Sequence, residues 1–325
     1  MNYALPISGL LAAVLAAGTS AAMAQAQYPV KPVRLIVPYP PGGGNDTLAR
    51  IFGQKLTEAF GQQIVVENRP GAGTIIGTAS VARSAPDGYT LLLSSIATHA
   101  FSPFLYAKPG YDPIKDFAPV TLLVIAPTVL VVNPALPVGS LKELIALAKR
   151  RPGQLEFASA GTGSSAHMLG ETFKSLAKID IVQVPYKGGA PAIIGTISGE
   201  AQMMADPAAS VLPHVKSGRL RALAVARASR LPDLPAVPTF AEAGMPEYTA
   251  SAWYSVHAPA KTPNDIVARL NKELVRIVNL PDIRDKLKDL GSDGVGNSPE
   301  AFGQFVLVEH AKYGKLIKEM GVKPE

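Results

Sequence analysis

One grammar recurs along the chain: a short β-branched apolar run, a turn rich in Gly or small polar residues, then apolar positions at helical spacing. It first appears at Val33–Val37, followed by Pro38 to Asp46 and a helix from about Asp46 with Leu48, Ile51, Phe52 and Leu56 on one face. Further strands are predicted at 64–66 and 89–93. A helix between two strands returns the chain to the end it left, so such neighbours pair in parallel. The expected class is therefore α/β, with mostly parallel sheets flanked by helices.

The grammar restarts after an uncharged segment, 117–141. Pro119, Pro127, Pro134 and Pro137 break that segment into apolar pieces 120–125 and 129–132, which predicts two short buried strands rather than a membrane span. Ser140 and Glu143 form a capping box that opens a helix over 141–150. Strands follow at 155–158, 181–184, 201–205 and 220–225, with helices from Ser165 and after Pro191.

A Pro/Ala-rich stretch, 231–246, leads to a strand over 253–257. Three helical stretches finish the chain, one capped by Thr262 with Pro263 behind it and one by Ser298 with Pro299. The last helices are expected to pack on the first unit. Two α/β lobes joined by crossings near 120–132 and 253–258 would then hinge around a cleft.

Composition narrows the functions. Of 325 residues, 47% are hydrophobic and 17% charged, which excludes a disordered or collagen-like chain. There is no Cys, which excludes disulfides, thiol catalysis, a Cys-based metal site and a lipid anchor on Cys. The net charge of +6 is scattered, and its densest cluster, Lys149-Arg150-Arg151, suits a helix C-terminus, so no nucleic-acid partner is expected. At the N-terminus an apolar run, 7–17, precedes Ala22-Met23-Ala24, an A-x-A pattern before Gln25. Residues 1–24 are expected to be a cleaved export signal, although they carry no Lys or Arg.

Ligands of open α/β sheets bind beyond the carboxyl ends of strands, which directs attention to the turns. The first, Tyr39-Pro40-Pro41-Gly42-Gly43-Gly44-Asn45-Asp46, lets the backbone approach a ligand and aims helix N–H groups at it, with Asn45 or Asp46 as a cap. The second runs from Ser159 through Gly161-Thr162-Gly163-Ser164-Ser165 to His167. It matches G-x-G-x-x-A with Asp180 nineteen residues after Gly161, so NAD binding by an oxidoreductase is one reading. Its serines aimed at an anion are another.

The same loop approaches G-x-S-x-G, but no acid partner for a serine triad is identifiable. The third turn is Tyr186-Lys187-Gly188-Gly189. Asp206 ends an apolar strand before Pro207, where it either caps a helix or faces the cleft. Ser95 and Thr98 end a first-lobe strand with hydroxyls suited to a carboxylate. Trp253 either lines the cleft or fills the hinge. No metal motif or cofactor is expected, and the absence of a base, nucleophile and metal set argues against an enzyme.

Several stretches resemble one family: Tyr28-Pro29-Val30-Lys31-Pro32-Val33-Arg34 running into the P-P-G-G-G-N-D turn, Glu67-Asn68-Arg69-Pro70-Gly71, Ala85-Pro86-Asp87-Gly88-Tyr89, Pro185-Tyr186-Lys187-Gly188, and Leu212-Pro213-His214-Val215-Lys216-Ser217-Gly218. In order along the chain they resemble the Bug family of periplasmic solute-binding receptors, which serve tripartite tricarboxylate transporters. The resemblance implies a two-lobed periplasmic binding protein fold, type II-like, with lobe 1 over 25–125 and 251–325 and lobe 2 over 126–250. It also implies a periplasmic monomer that captures a small carboxylate and hands it to the membrane components of the transporter. A sensor feeding a signalling partner would share these features. By position, Pro41 to Asp46 match the family's first ligand loop, Ser159 to His167 the second, and Asp206 the strand-end acid.

Overall fold

The computed structural model describes residue 1 and residues 28–319; the expected export signal, apart from Met1, lies outside them. In chain order the first part comprises β1 (Val33–Val37), α1 (Gly44–Phe60), β2 (Ile64–Asn68), α2 (Ile75–Ala82), β3 (Thr90–Ser95) and α3 (Ser102–Leu105). Then come β4 (Phe117–Val132), α4 (Leu141–Arg150), β5 (Glu156–Ser159), α5 (Ser165–Ala177), β6 (Val182–Pro185) and α6 (Gly189–Ser198). The chain continues through β7 (Met203–Pro207), α7 (Ala208–Lys216), β8 (Arg221–Val225) and β9 (Ser251–Pro259). It ends with α8 (Asn264–Val278), α9 (Pro281–Asp289), β10 (Asp293–Gly294) and α10 (Pro299–Glu319).

The strands form a curled mixed sheet in the order β2-β1-β3-β9-β4-β7-β5-β6. The strand–helix–strand units pair in parallel as the grammar requires, β1 with β2 and β3 at one end and β5 with β6 and β7 at the other. The two crossing strands add antiparallel pairing: β9 lies against β3 and β4, and β4 also pairs with β7 and β8.

The expected break in 117–141 does not occur, because β4 is one strand of 16 residues. Proline lacks an N–H, so a strand tolerates it only where a ladder bond is already missing. Pro119 sits at a register shift against β9, and Pro127 sits where β4 leaves β9 for β7 and β8. One strand thereby serves both lobes.

Each lobe has its own core. Val33, Leu35, Leu91, Leu93 and the first half of β4 pack with Leu270 and Leu274 of α8 and Phe302 and Val306 of α10. The C-terminal helices thus return to the first lobe. In the second, Leu130 and Val132 pack with α4 and α5 on one sheet face, while Val129 and Val131 pack with α6 and α7 on the other. Strict alternation along β4 sends its side chains to opposite faces.

The caps are as expected at two helices and different at a third. The Ser140 hydroxyl accepts the Glu143 N–H at α4, and the Ser298 hydroxyl accepts the Ala301 N–H at α10. Thr262 does not cap α8: its hydroxyl donates to the Pro259 carbonyl, which holds the turn leaving β9 instead. Trp253 fills the core, 1% exposed, with its indole N–H on Glu309.

Candidate functional site

Between the lobes lies a cleft of about 500 Å³. The first turns of four helices reach its wall: Gly44 of α1, Ser165 of α5, Gly189 of α6 and Ala209 of α7. Each presents N–H groups without intrahelical partners and the positive end of a helix dipole. A neighbouring cavity of about 470 Å³ shares Tyr39, Pro40, Ala160, Ser164 and Gly188 with the cleft and extends to Gly73, Thr162 and Lys187.

The first loop reaches the cleft in part. Tyr39, Gly42, Gly43 and Gly44 line it, whereas Pro41 is exposed beside it. A side chain at Gly44 would meet the Ser210 hydroxyl at 3.3 Å and the Tyr254 hydroxyl at 3.6 Å, so glycine permits close approach of the two lobes there. The Tyr39 hydroxyl hydrogen-bonds Ser95 at 2.6 Å and also Ser165 across the cleft. Burial pushes that phenol up to about 12.

Asp46 does not face the cleft. The helix begins two residues earlier than expected, with Gly43 as its N-cap, so Asp46 falls within the first turn. Its carboxylate accepts the Gly42 N–H, both guanidinium donors of Arg50, and the Asn68 amide. Burial alone would raise its pKa, but these donors outweigh burial and hold it below the ordinary carboxylate value. Asp46 braces the loop from behind.

In the second loop, Ser164 and Ser165 line the cleft, and Gly161 and Thr162 line the neighbouring cavity. Ser164 also caps α5 by accepting the His167 N–H. Gly163 and His167 lie behind the wall, where His167 Nδ1 accepts the Gly163 N–H at 3.2 Å. Burial lowers this imidazole to about 4, so it is neutral at pH 7 and shapes the loop as an acceptor. Ser159 is buried, its hydroxyl accepting from Gln183 and from the Gly161 N–H.

The structure does not bring Ser95 and Thr98 to the cleft. Both are fully buried; Ser95 stands behind Tyr39, and Thr98 donates to the Ser95 carbonyl at the entry to a π-helical turn. Tyr186 also points away: its ring packs on α6 where only a glycine, Gly195, leaves room. Gly188 does reach both cavities, at φ +121° and with Pro40 of the other lobe 3.3 Å from where a Cβ would stand. A side chain there would be strained and would wedge the lobes apart.

Asp206 faces the cleft and is 6% exposed. Burial pushes its carboxyl up to about 7, partly offset by a hydrogen bond from the Ser210 hydroxyl. Ser210 and Tyr254 are wall residues that the sequence analysis did not single out. Ser210 was accessible by applying the same handover rule at Asp206-Pro207, and Tyr254 by strand parity, since its neighbour Trp253 fills the core. The Asn45 Oδ1 and His214 Nδ1 atoms are buried on the wall without a hydrogen-bond partner among the described residues.

The dinucleotide reading fails on topology. β5 and β6 are parallel, so the Gly161 loop leaves the carboxyl end of β5 while Asp180 precedes β6 at the opposite edge. An acid there cannot reach a ribose at the loop. Among the described residues no group of three His, Asp or Glu is placed to hold a metal ion.

Residues 48–322 match the profile of the TctC family, the tripartite tricarboxylate transporter family receptor. The chain belongs to that family. It is 38% identical over 324 residues to protein BugT of Bordetella pertussis, covering 99% of each chain. Among solved structures, R. palustris Rpa4515 with adipate is 36% identical at a TM-score of 0.88, covering 92% of this chain and 100% of that one. MatC from Rhodopseudomonas palustris with bound malate is 33% identical at a TM-score of 0.85, covering 89% and 100%. This TctC-family chain is thus a solute-binding receptor by family, and its fold is that of the two-lobed periplasmic binding proteins.

Proposed function

We propose that the protein is a periplasmic receptor that closes its two lobes on a small carboxylate-bearing solute and delivers it, as a monomer, to the membrane components of a tripartite tricarboxylate transporter. The observation that carries the reading is the convergence of four helix N-termini on one cleft whose only lining Arg or Lys among the described residues is the exposed Arg219. Such a wall binds a carboxylate through backbone N–H groups and hydroxyls. The adipate and malate in the two relatives support the ligand class.

Within this reading, Gly42 to Gly44 and Ser164 to Ser165 grip the ligand from opposite lobes, and Asp46 and His167 position those loops. We take the lobes as 25–125 with 251–325, and 126–250; the change of β4 partners near Pro127 and the start of β9 at Ser251 support this division. No described helix is long and apolar enough to cross a membrane, which accords with a receptor that meets its transporter from outside the bilayer.

A ligand that binds only the folded, closed protein raises its apparent stability. The test is a thermal-shift series on protein refolded free of co-purified ligand, against adipate, malate, benzoate, L-glutamate and NAD. A saturable rise with a carboxylate is expected. A rise with NAD alone, or none with any carboxylate in either melting or calorimetry, would overturn the reading.

A further inference from the structure

The floor of the cleft holds a carboxyl with no counterion among the described residues. Asp206 is fixed opposite Val129 of β4, and its hydrogen-bond partner is the uncharged Ser210 hydroxyl. The titratable groups around it are Tyr254 on β9, Tyr39 on the first loop, His214 on α7 and Arg219 in the turn after α7. Burial raises both phenols, so they stay neutral near pH 7. Burial, then the nearby Arg219, lowers His214, which is also neutral there. Arg219 is exposed at the rim, with its Nε on Ser217. Asp46, the nearest acid on α1, is turned away and paired with Arg50.

A buried carboxyl without a cation keeps its proton, and a protonated carboxyl is a hydrogen-bond donor. An ionised ligand carboxylate is a good acceptor for it, since O–H···O⁻ bonds are short and strong, whereas two ionised carboxylates repel at that distance. An ammonium would pair with ionised Asp206, but four positive helix ends oppose a cation in the same cleft.

We infer that Asp206 enters the ligand complex as a neutral carboxyl that donates its proton to a carboxylate of the ligand, so the site selects dianionic acids over amino acids and takes up a proton on binding wherever Asp206 is ionised beforehand. This rests on the receptor reading above. The proton comes from solvent onto the Asp206 carboxylate, and no covalent bond of the ligand changes.

The test is calorimetric titration at pH 6.5 and 8.5, in two buffers of different ionisation enthalpy, with succinate, malate, adipate and L-glutamate as probes. For the dianion that binds, the uptake at pH 8.5 should approach one proton per ligand. Its affinity should fall by about 25-fold between the two pH values for a group titrating near pH 7. Asp206→Asn should abolish this slope and bind the dianion about tenfold more tightly than the natural protein at pH 8.5. Its melting without ligand reports that it is folded. Binding of a dianion without proton uptake or pH dependence would overturn the inference alone. So would glutamate binding that releases a proton and strengthens with pH. No binding by any probe at either pH would overturn the receptor reading as well.

Discussion

Asp46 and Asp206 occupy comparable places in the two lobes, each buried beside a strand-to-helix handover at the cleft, yet their side chains do opposite things. Four residues after Asp46 stands Arg50, whose guanidinium grips the carboxylate bidentately; four residues after Asp206 stands Ser210, a neutral donor. The paired acid turns away from the cleft and holds a loop, while the unpaired one faces the cleft and is pushed toward neutrality. The partner one helical turn onward, more than the acid or the motif around it, separates a scaffold carboxylate from one that meets a ligand.

The largest effect is expected from removing the scaffold acid. Asp46→Ala takes the acceptor from the Gly42 N–H and one of the two acceptors from the Asn68 amide, whose other bond is to the Tyr39 carbonyl, which should cost about 2–3 kcal/mol of stability in chemical denaturation. The loosened loop should also lose affinity on the order of tenfold. An unchanged unfolding midpoint would mean that Asp46 does not brace the loop.

Asp206→Asn should act in the reverse direction on the empty protein. Its pKa is raised from 3.8 to about 7 in the folded state, so its contribution is fully present below pH 3.8 and lost as pH rises to about 7. The variant should therefore be more stable than the natural protein at pH 8 and nearly equal to it near pH 4, as read from unfolding midpoints at the two pH values. Asp46 works the other way: with its pKa lowered, its stabilisation is full above 3.8 and lost as pH falls below that value. Melting curves across this range that show one common slope for Asp46→Ala and Asp206→Asn would erase the contrast.

Two smaller changes sharpen it. Ser164→Ala removes a helix cap and should cost about 1 kcal/mol, whereas Ser165→Ala, which caps nothing, should weaken ligand binding with little effect on the empty protein's melting. Equal melting losses in both would assign them the same role. Arg50→Lys keeps the charge but loses the bidentate fork on Asp46, and a small drop in the unfolding midpoint is expected.

Much of this architecture is legible in the residues. The handovers at Pro38 to Asp46, Ser159 to Ser165 and Tyr186 to Gly189 announce themselves because apolar runs end in glycines and hydroxyls, and the structure sets all three around the cavities. What is not legible is which way a side chain points once the turn is built. Thr98, Ser159 and Tyr186 have suitable chemistry but spend it on backbone and core, since orientation within a turn depends on tertiary neighbours. The unity of β4 is hidden for a similar reason: Pro119 and Pro127 read as breaks until the partner strands show where ladder bonds are dispensable.

The placement of β9 sets an order of assembly. Leu92 of β3 pairs with His257, and Ile125 of β4 with Trp253, so the first lobe's sheet lacks its middle strand until nearly all of the second lobe has followed in the chain. The second lobe needs no such delay, because β5, β6, β7 and β8 follow the last third of β4 in one continuous stretch. The lobe that begins the chain is therefore the last to close. Until then β3 and β4 each present an unpaired edge, the kind of surface that invites wrong partners, and the pairing that covers them is among the most distant in sequence and so the slowest to form. A chain cut short before Ser251 would keep one intact core and strand the other permanently at that stage.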